Sequence, residues 1–439
     1  MAISVKYAWK VLNLELSEGI PTLSLEPNYE GLFVVFWWYG IPLGDQEISA
    51  AQLPMPATQL ANLVLQTITP VVGSHLLEQG FKGSWPVVST NPSRDRPTNF
   101  HVLMTLEQLL ETLRERLSKP VEGSVSLVIC TRNRPELLEG CLRSLQNLSH
   151  PPHEIVVVDN APSSDDTRQI VAKMPGVKYI LEPRPGLSVA RNTGIAKSTG
   201  NIIVFTDDDV IVHPEWINRL QRGFQDPRVM AVTGLMLPAQ LETEAELIFH
   251  KGSGGPDWKY QALTFDTQFF EDRKRWGVPV WRIGAGANMA FRRKAFELVG
   301  DFDERLGAGA SGCSEDSELW YRVLAEGWLC RYEPTAVVFH YHRHDLDGLK
   351  QQMYQYMRGH VAALLVQFAR YKHWGNLHRL FFVLPRYYSG LLVRGFFKGF
   401  KERYSTVLAE ILGCFLGVNF YLQNRSSISS SQNSNVISQ

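Results

Sequence analysis

At 439 residues the chain is longer than one ordinary core accommodates, so two or three domains are expected. Its 44% hydrophobic and 11% aromatic content excludes a disordered chain, and 44 Lys plus Arg against 44 Asp plus Glu excludes a net field for nucleic acid or for an acidic partner. Five scattered cysteines without CxxC spacing exclude a disulfide framework or a zinc ribbon and fit a reducing cytosol.

The opening, MAISVKYAWKV, lacks the apolar region and cleavage site of a secretory leader. Residues 1–120 read as a smaller β-rich module. GLFVVFWWYG and IPLGDQEI suggest two strands around a Gly-Ile-Pro turn, and an amphipathic helix is expected over 56–70. NPSRDRPTN (91–99) is a loop, and leucines at 106, 109, 110, 113 and 117 predict a helix stopped at Pro120. No residue pattern in this module identifies a chemistry.

From Ser124 the pattern changes. SVSLVIC, EIVVVDN, VKYILE and NIIVFTDDD are apolar strands, separated by helical segments in PELLEGCLRSL, DDTRQIVAKM and GLSVARNTGIAKST. Strands alternating with amphipathic helices imply βαβ units and a parallel sheet, whose ligands bind at the carboxyl ends of the strands. Polar clusters fall there: Thr131 to Arg134 after the first strand, Asp159 and Asn160 after the second, and Asp207-Asp208-Asp209 after the fourth. Three adjacent carboxylates repel one another, and Mg²⁺ or Mn²⁺ would relieve that repulsion by taking oxygen ligands. A solvated turn is the plainer alternative.

The segments VSLVICTRNRPELLEGCLRSL, EIVVVDNAPSSDDT, GLSVARNTGIAKSTGNIIVFTDDD, RIGAGANMAFRRKAF, GDFDERLG, SEDSELWYRVLAEGW and VVFHYHR occur in an order and spacing that resembles family 2 glycosyltransferases. The resemblance implies an α/β catalytic domain of GT-A type over 121–345, Rossmann-like with a mostly parallel sheet. It also implies sugar transfer from a nucleotide-sugar to a polysaccharide, glycolipid or lipid-linked acceptor, with inversion at the anomeric carbon and a divalent cation, Mn²⁺ or Mg²⁺. By the same resemblance Thr131, Arg134, Asp159, Arg191 and Asp207 face the nucleotide, and Asp207, Asp209 and His340 hold the cation. Asp316 is the general base, with Glu315 as second candidate. Gly286, Asn288, Glu315 and Trp320 line the acceptor and donor sugar.

The residues support parts of this independently. An Arg at a strand-end crevice suits a phosphate or base, being a rigid donor fork, although a surface ion pair would explain it too. In SEDSELWYRVLAEGW, Ser314 is expected to cap a helix that Gly327 ends, and acids in a first turn complement the helix dipole. A Trp on such a helix is more often core than platform. His340, His342 and His344 would share one face of an extended strand, but nothing nearby supplies a zinc hydrolase site.

Residues 346–423 are expected to be helical. From 345 to 423 there are ten Lys or Arg against four Asp or Glu, interleaved with aromatics. That suits helices lying on an anionic membrane at the inner face of the plasma membrane, or helices packed on the catalytic domain. No run reaches the roughly 18 uncharged apolar residues of a spanning helix; the nearest, 407–422, carries Glu410. Residues 424–439 are low in complexity and expected to be disordered. Two rival functions are a non-catalytic nucleotide-sugar-binding assembly subunit and a sugar-phosphate nucleotidyltransferase. The second would want a glycine-rich loop after the first strand, where CTRNRPE has none.

Overall fold

The structure is a computed structural model and describes residues 8–78, 110–252 and 259–425. The loop expected at 91–99, Leu106, Leu109 and residues 426–439 lie outside the described residues.

Twelve strands form two sheets among the described residues. β1 (Trp9–Glu15), β2 (Gly31–Trp38) and β3 (Ile41–Ser49) make the small sheet. The large sheet has the order β10-β12-β9-β11-β7-β4-β5-β6, with β8 paired to β12. Its strands are β4 (Val125–Thr131), β5 (Glu154–Asn160), β6 (Val177–Glu182), β7 (Ile202–Asp207), β8 (Val210–Val212), β9 (Val229–Pro238), β10 (Leu263–Phe265), β11 (Met289–Arg292) and β12 (Leu329–His340). β6, β5, β4 and β7 pair in parallel, β11 runs antiparallel between β7 and β9, and β9 pairs directly and in parallel with β12. The four expected βαβ strands are thus present, and the α/β class is as anticipated.

β4 shows why this region reads as continuous apolar sequence. All seven of its residues are buried. Val128 and Cys130 pack into the core on one face while Val125, Leu127 and Ile129 pack on the other. A strand covered on both faces cannot alternate apolar with polar. The helix Pro135–Leu145 covers one face through Leu138, Cys141, Leu142 and Leu145, an i, i+3, i+4, i+7 stripe. Each such leucine contributes about 1.5–3 kcal/mol on full burial.

The small sheet shares its core with the large one. The hairpin turns at Tyr39-Gly40, with φ of 47° and 70°, so Ile41 and Pro42 already belong to β3. Glu15 accepts from both turn amides, at 2.8 and 3.0 Å. The buried Arg219 donates through Nη1 to Gly40 O at 2.8 Å and Thr335 O at 2.9 Å, tying the hairpin tip to β12. Trp37 stacks on His213 at 5.5 Å. The helix expected over 56–70 runs from Ala57 to Glu78, through Pro70.

At the other end, the helix Leu346–Tyr371 begins at Asp345, whose carboxylate accepts from Gly348 N at 2.7 Å. It crosses the loop that precedes Asp316 so closely that a Cβ on Gly359 would meet the Cys313 carbonyl oxygen at 2.4 Å. A π-turn at Arg379–Val383 leads into the helix Leu384–Lys398, and Val407–Asn424 packs back along Leu346–Tyr371. With the preceding turn, Glu402–Asn424 is long and apolar enough to cross a membrane by length and composition. Its charges at Glu402, Arg403 and Glu410 keep it from being an uncharged run, as the sequence indicates. Glu410 does not break the helix because it is buried against Tyr388 Oη at 2.9 Å and Arg403 Nη1 at 2.7 Å.

Candidate active site

The site gathers at the carboxyl ends of β4, β5 and β7. Register explains how the aspartate triplet divides. Cys130 pairs with Asp207, so Thr131 lies beside Asp208. Thr131 Oγ1 donates to Asp208 Oδ2 at 2.7 Å, and Arg134 Nη1 donates to Asp208 Oδ1 at 3.0 Å and to Asp209 Oδ2 at 3.2 Å. Burial, together with Asp209 and Asp207, pushes the Asp208 carboxyl up to about 6 against the opposing pull of Arg134 and Thr131. Thr131 and Asp208 are both buried.

Asp207 turns the other way. Its Oδ1 accepts from Arg191 Nη2 at 3.3 Å, while Arg191 Nη1 donates to Glu315 Oε1 at 2.5 Å. Arg191 is buried, with its guanidinium 5.5 Å from the Phe302 ring centroid. Burial and the neighbouring Asp316 push Glu315 up to about 7 although Arg191 pulls it down. Asp316, next along the helix Glu315–Ala325, is half-buried. Its Oδ1 accepts from its own helix start, Ser317 N at 2.6 Å and Ser317 Oγ at 3.2 Å. Its Oδ2 faces Gly286: a Cβ there would lie 3.0 Å from both Asp316 Oδ2 and Arg191 Nη2. Glycine is what keeps this gap open. Glu315 is thus committed to Arg191, and Asp316 turns an oxygen toward the crevice.

Asp209 Oδ1 is buried and has no hydrogen-bond donor, with His340 Nε2 3.4 Å away. Among the described residues no three His, Cys, Asp or Glu side chains converge as a closed metal cage. Mn²⁺ and Mg²⁺ take few protein ligands when a phosphate supplies the rest, so an orphaned carboxylate oxygen facing an imidazole is a fitting donor pair. The three histidines separate because β12 ends at His340. His342 meets His340 through Nδ1 at 3.0 Å, is pushed down to about 3 by burial, and packs on Phe249. His344 turns to Glu246 at 3.4 Å.

At the end of β5, Asp159 is buried. Its Oδ2 accepts from Tyr179 Oη at 2.9 Å and its Oδ1 has no partner. Burial raises this carboxyl, while Tyr179 and Thr167 oppose the rise. An open groove of about 570 Å³ adjoins it, lined by Ser163, Asp165, Arg168 and Tyr179 among others.

Two expected sugar-facing residues stand elsewhere. Asn288 is fully buried, with Oδ1 accepting from Trp216 Nε1 at 2.9 Å and Nδ2 donating to Leu235 O and Ala336 O, both at 2.9 Å. It ties β11 to β9 and β12 and is enclosed by them. Trp320 is fully buried in the core and offers no stacking face. Ser314 does not cap its helix: it is left-handed, with φ of 71°, and its hydroxyl meets Cys313 Sγ at 3.1 Å. Gly327, with φ of 82°, follows the helix end as expected. Sequence reasoning gave Asp208 no role of its own within the triplet and missed Tyr179. The register of β4 against β7 was the signal for Asp208; Tyr179, on an edge strand, left none.

Residues 126–300 match the family model described as Glycosyl transferase family 2. A pre-mycofactocin glycosyltransferase of Mycobacterium tuberculosis is 29% identical over 232 residues, covering 52% of this chain and 45% of that protein. The succinoglycan biosynthesis protein ExoM of Rhizobium meliloti is 29% identical over 227 residues, covering 49% of this chain and 65% of that protein. The chain therefore spans about half to two thirds of the length of these relatives. Among solved structures, the mannosyltransferase PcManGT from Pyrobaculum calidifontis, in complex with GDP-Man and Mn²⁺, aligns with a TM-score of 0.48 at 18% identity, covering 73% of this chain and 97% of that one.

Proposed function

We propose, from the premise that this chain carries a family 2 glycosyltransferase domain over residues 126–300, that it transfers a sugar from a nucleotide-sugar to a hydroxyl of a growing envelope glycan or lipid-linked acceptor, with inversion. The observation that carries this reading is the position of Asp316 Oδ2 across the Gly286 gap from Arg191. An acceptor hydroxyl entering there would lose its proton to Asp316 as its oxygen bonds to the anomeric carbon and the bond to the diphosphate breaks. One displacement on one carbon inverts it. Arg191, held by Glu315 and Asp207, would lend its positive charge to the leaving diphosphate. Asp159, joined through Tyr179 to the groove wall and with its Oδ1 unpartnered, suits a nucleoside hydroxyl. Asp209 and His340, with Asp207, would hold a divalent cation, which when bound neutralises charge on the diphosphate.

A donor screen tests the enzyme reading. Released nucleoside diphosphate is expected with one nucleotide-sugar in the presence of Mn²⁺ or Mg²⁺, and should fall to background with chelator. Binding without turnover across the panel and a range of acceptors would instead favour the non-catalytic subunit.

The acceptor side of the reading extends to a membrane surface. Phe382, Val393, Phe396 and Phe397 are 67%, 60%, 75% and 81% exposed, opposite the buried stripe Leu384, Tyr388, Leu391 and Gly395. Arg386, Arg394, Lys398 and Lys401 are exposed among them, with no acid between 373 and 401. An apolar ridge set among cations suits an anionic bilayer on the cytoplasmic side, where the five free cysteines would stay reduced. Replacing Phe396 and Phe397 with serine should lower partitioning onto phosphatidylglycerol-containing vesicles by about tenfold or more in a sedimentation assay. Equal partitioning of variant and parent would remove this ridge as the contact.

A further inference from the structure

Arg134 is the residue that the proposed chemistry leaves without a task. The resemblance assigns it to the nucleotide, yet its Nη1 is spent on Asp208 Oδ1 and Asp209 Oδ2, at 3.0 and 3.2 Å. Thr131 and Asp208 beside it are buried, whereas the Arg134 side chain is 35% exposed. It is the arm of this network with room to swing outward. Its one positive charge lies against two of the three carboxylates, and Asp209 still carries an oxygen with no donor.

We propose that Arg134 is the resident counter-ion of the aspartate triplet and that it passes to the donor's diphosphate when a divalent cation arrives. This rests on the cation reading given above. A cation on Asp209 would stand within a few ångströms of the guanidinium, and at that range two positive charges in a partly buried site repel strongly. The conflict disappears if Arg134 leaves the carboxylates for phosphate oxygens, for which its planar fork is suited. Arg134 therefore disfavours the cation alone and favours the cation together with a diphosphate. The site would fill with both ligands or with neither. By linkage, each ligand must then strengthen the other by the same factor.

The test uses the full-length chain with Mn²⁺ and inorganic pyrophosphate as probes. Mn²⁺ binding is followed by the loss of the free-ion paramagnetic resonance signal, and labelled pyrophosphate by equilibrium dialysis at saturating Mn²⁺. Arg134→Ala is expected to bind Mn²⁺ alone about 5- to 30-fold more tightly than the parent, yet to hold pyrophosphate about tenfold more weakly. Arg134→Lys, which keeps the charge, should stay near the parent for Mn²⁺ alone. Because Arg134 is partly exposed, the alanine variant should fold, and an unchanged thermal midpoint would confirm that. Unchanged or weaker Mn²⁺ binding in folded Arg134→Ala would overturn the inference, whatever the donor screen gives. Absence of Mn²⁺ binding in the parent with and without pyrophosphate, or its survival in Asp209→Asn, would overturn both the inference and the cation site. Mn²⁺ binding that follows the expected pattern without turnover would leave the inference standing and remove only the enzyme reading.

Discussion

Asp316→Asn should lower sugar transfer by about 10²- to 10⁴-fold, the range that removal of a general base produces. Donor affinity should change by less than about threefold, because the lost interaction belongs to the acceptor's proton and not to the nucleotide. The substitution is unusually clean. Oδ1 of Asp316 accepts from Ser317 N and Oγ, and an asparagine carbonyl can accept the same two hydrogen bonds. What changes is the atom facing Gly286, from a carboxylate oxygen that takes a proton to an amide nitrogen that cannot. Turnover at the parent rate would move the base elsewhere, with Glu315 next in line. Collapse of donor binding would assign Asp316 to the nucleotide.

Arg191→Met should produce the largest loss of stability among the site variants. The guanidinium is buried between Glu315, also buried, and Asp207. Removing one partner of a buried pair leaves an uncompensated charge and costs about 3–5 kcal/mol, more than the net worth of the intact pair. Calorimetry should show a lowered unfolding temperature. The second substitution Glu315→Gln should recover part of the loss, since it removes the stranded charge. A midpoint equal to the parent's would mean that solvent reaches this corner, and the account of a preformed arginine would fail.

Much of this site was legible in the primary structure because it lies where a parallel sheet must place it. Asp159 and Asp207 follow runs of buried apolar residues, and a βαβ pattern sends such strand ends to one edge. The role proposed for Asp316 rests on SEDSELW and the family resemblance, not on physics alone. The errors share a cause. Asn288 and Trp320 are residue types that contact sugars elsewhere, but here long-range packing claims them: Asn288 ties together strands 48 and 53 positions away in sequence. Local pattern does not encode such partners. The three histidines could share one face only if the strand stayed extended, and β12 ends at His340. At 402–424 the sequence showed the apolar run and its Glu410, but not that Tyr388 and Arg403 compensate that charge.

The close seat of the helix Leu346–Tyr371 on the loop before Asp316 bears on how this protein could be divided or recombined. A boundary at residue 345 looks natural in sequence, since the strand-helix alternation stops there. With Gly359 pressed on the Cys313 carbonyl, however, the far side of the boundary buttresses the backbone that carries Asp316. On the proposed function, residues 121–345 are therefore not expected to be a portable cassette. A chimera that borrowed residues 121–345 would need to bring Leu346–Tyr371 as well, and exchange of acceptor preference between relatives is better sought beyond Tyr371 than at the visible seam.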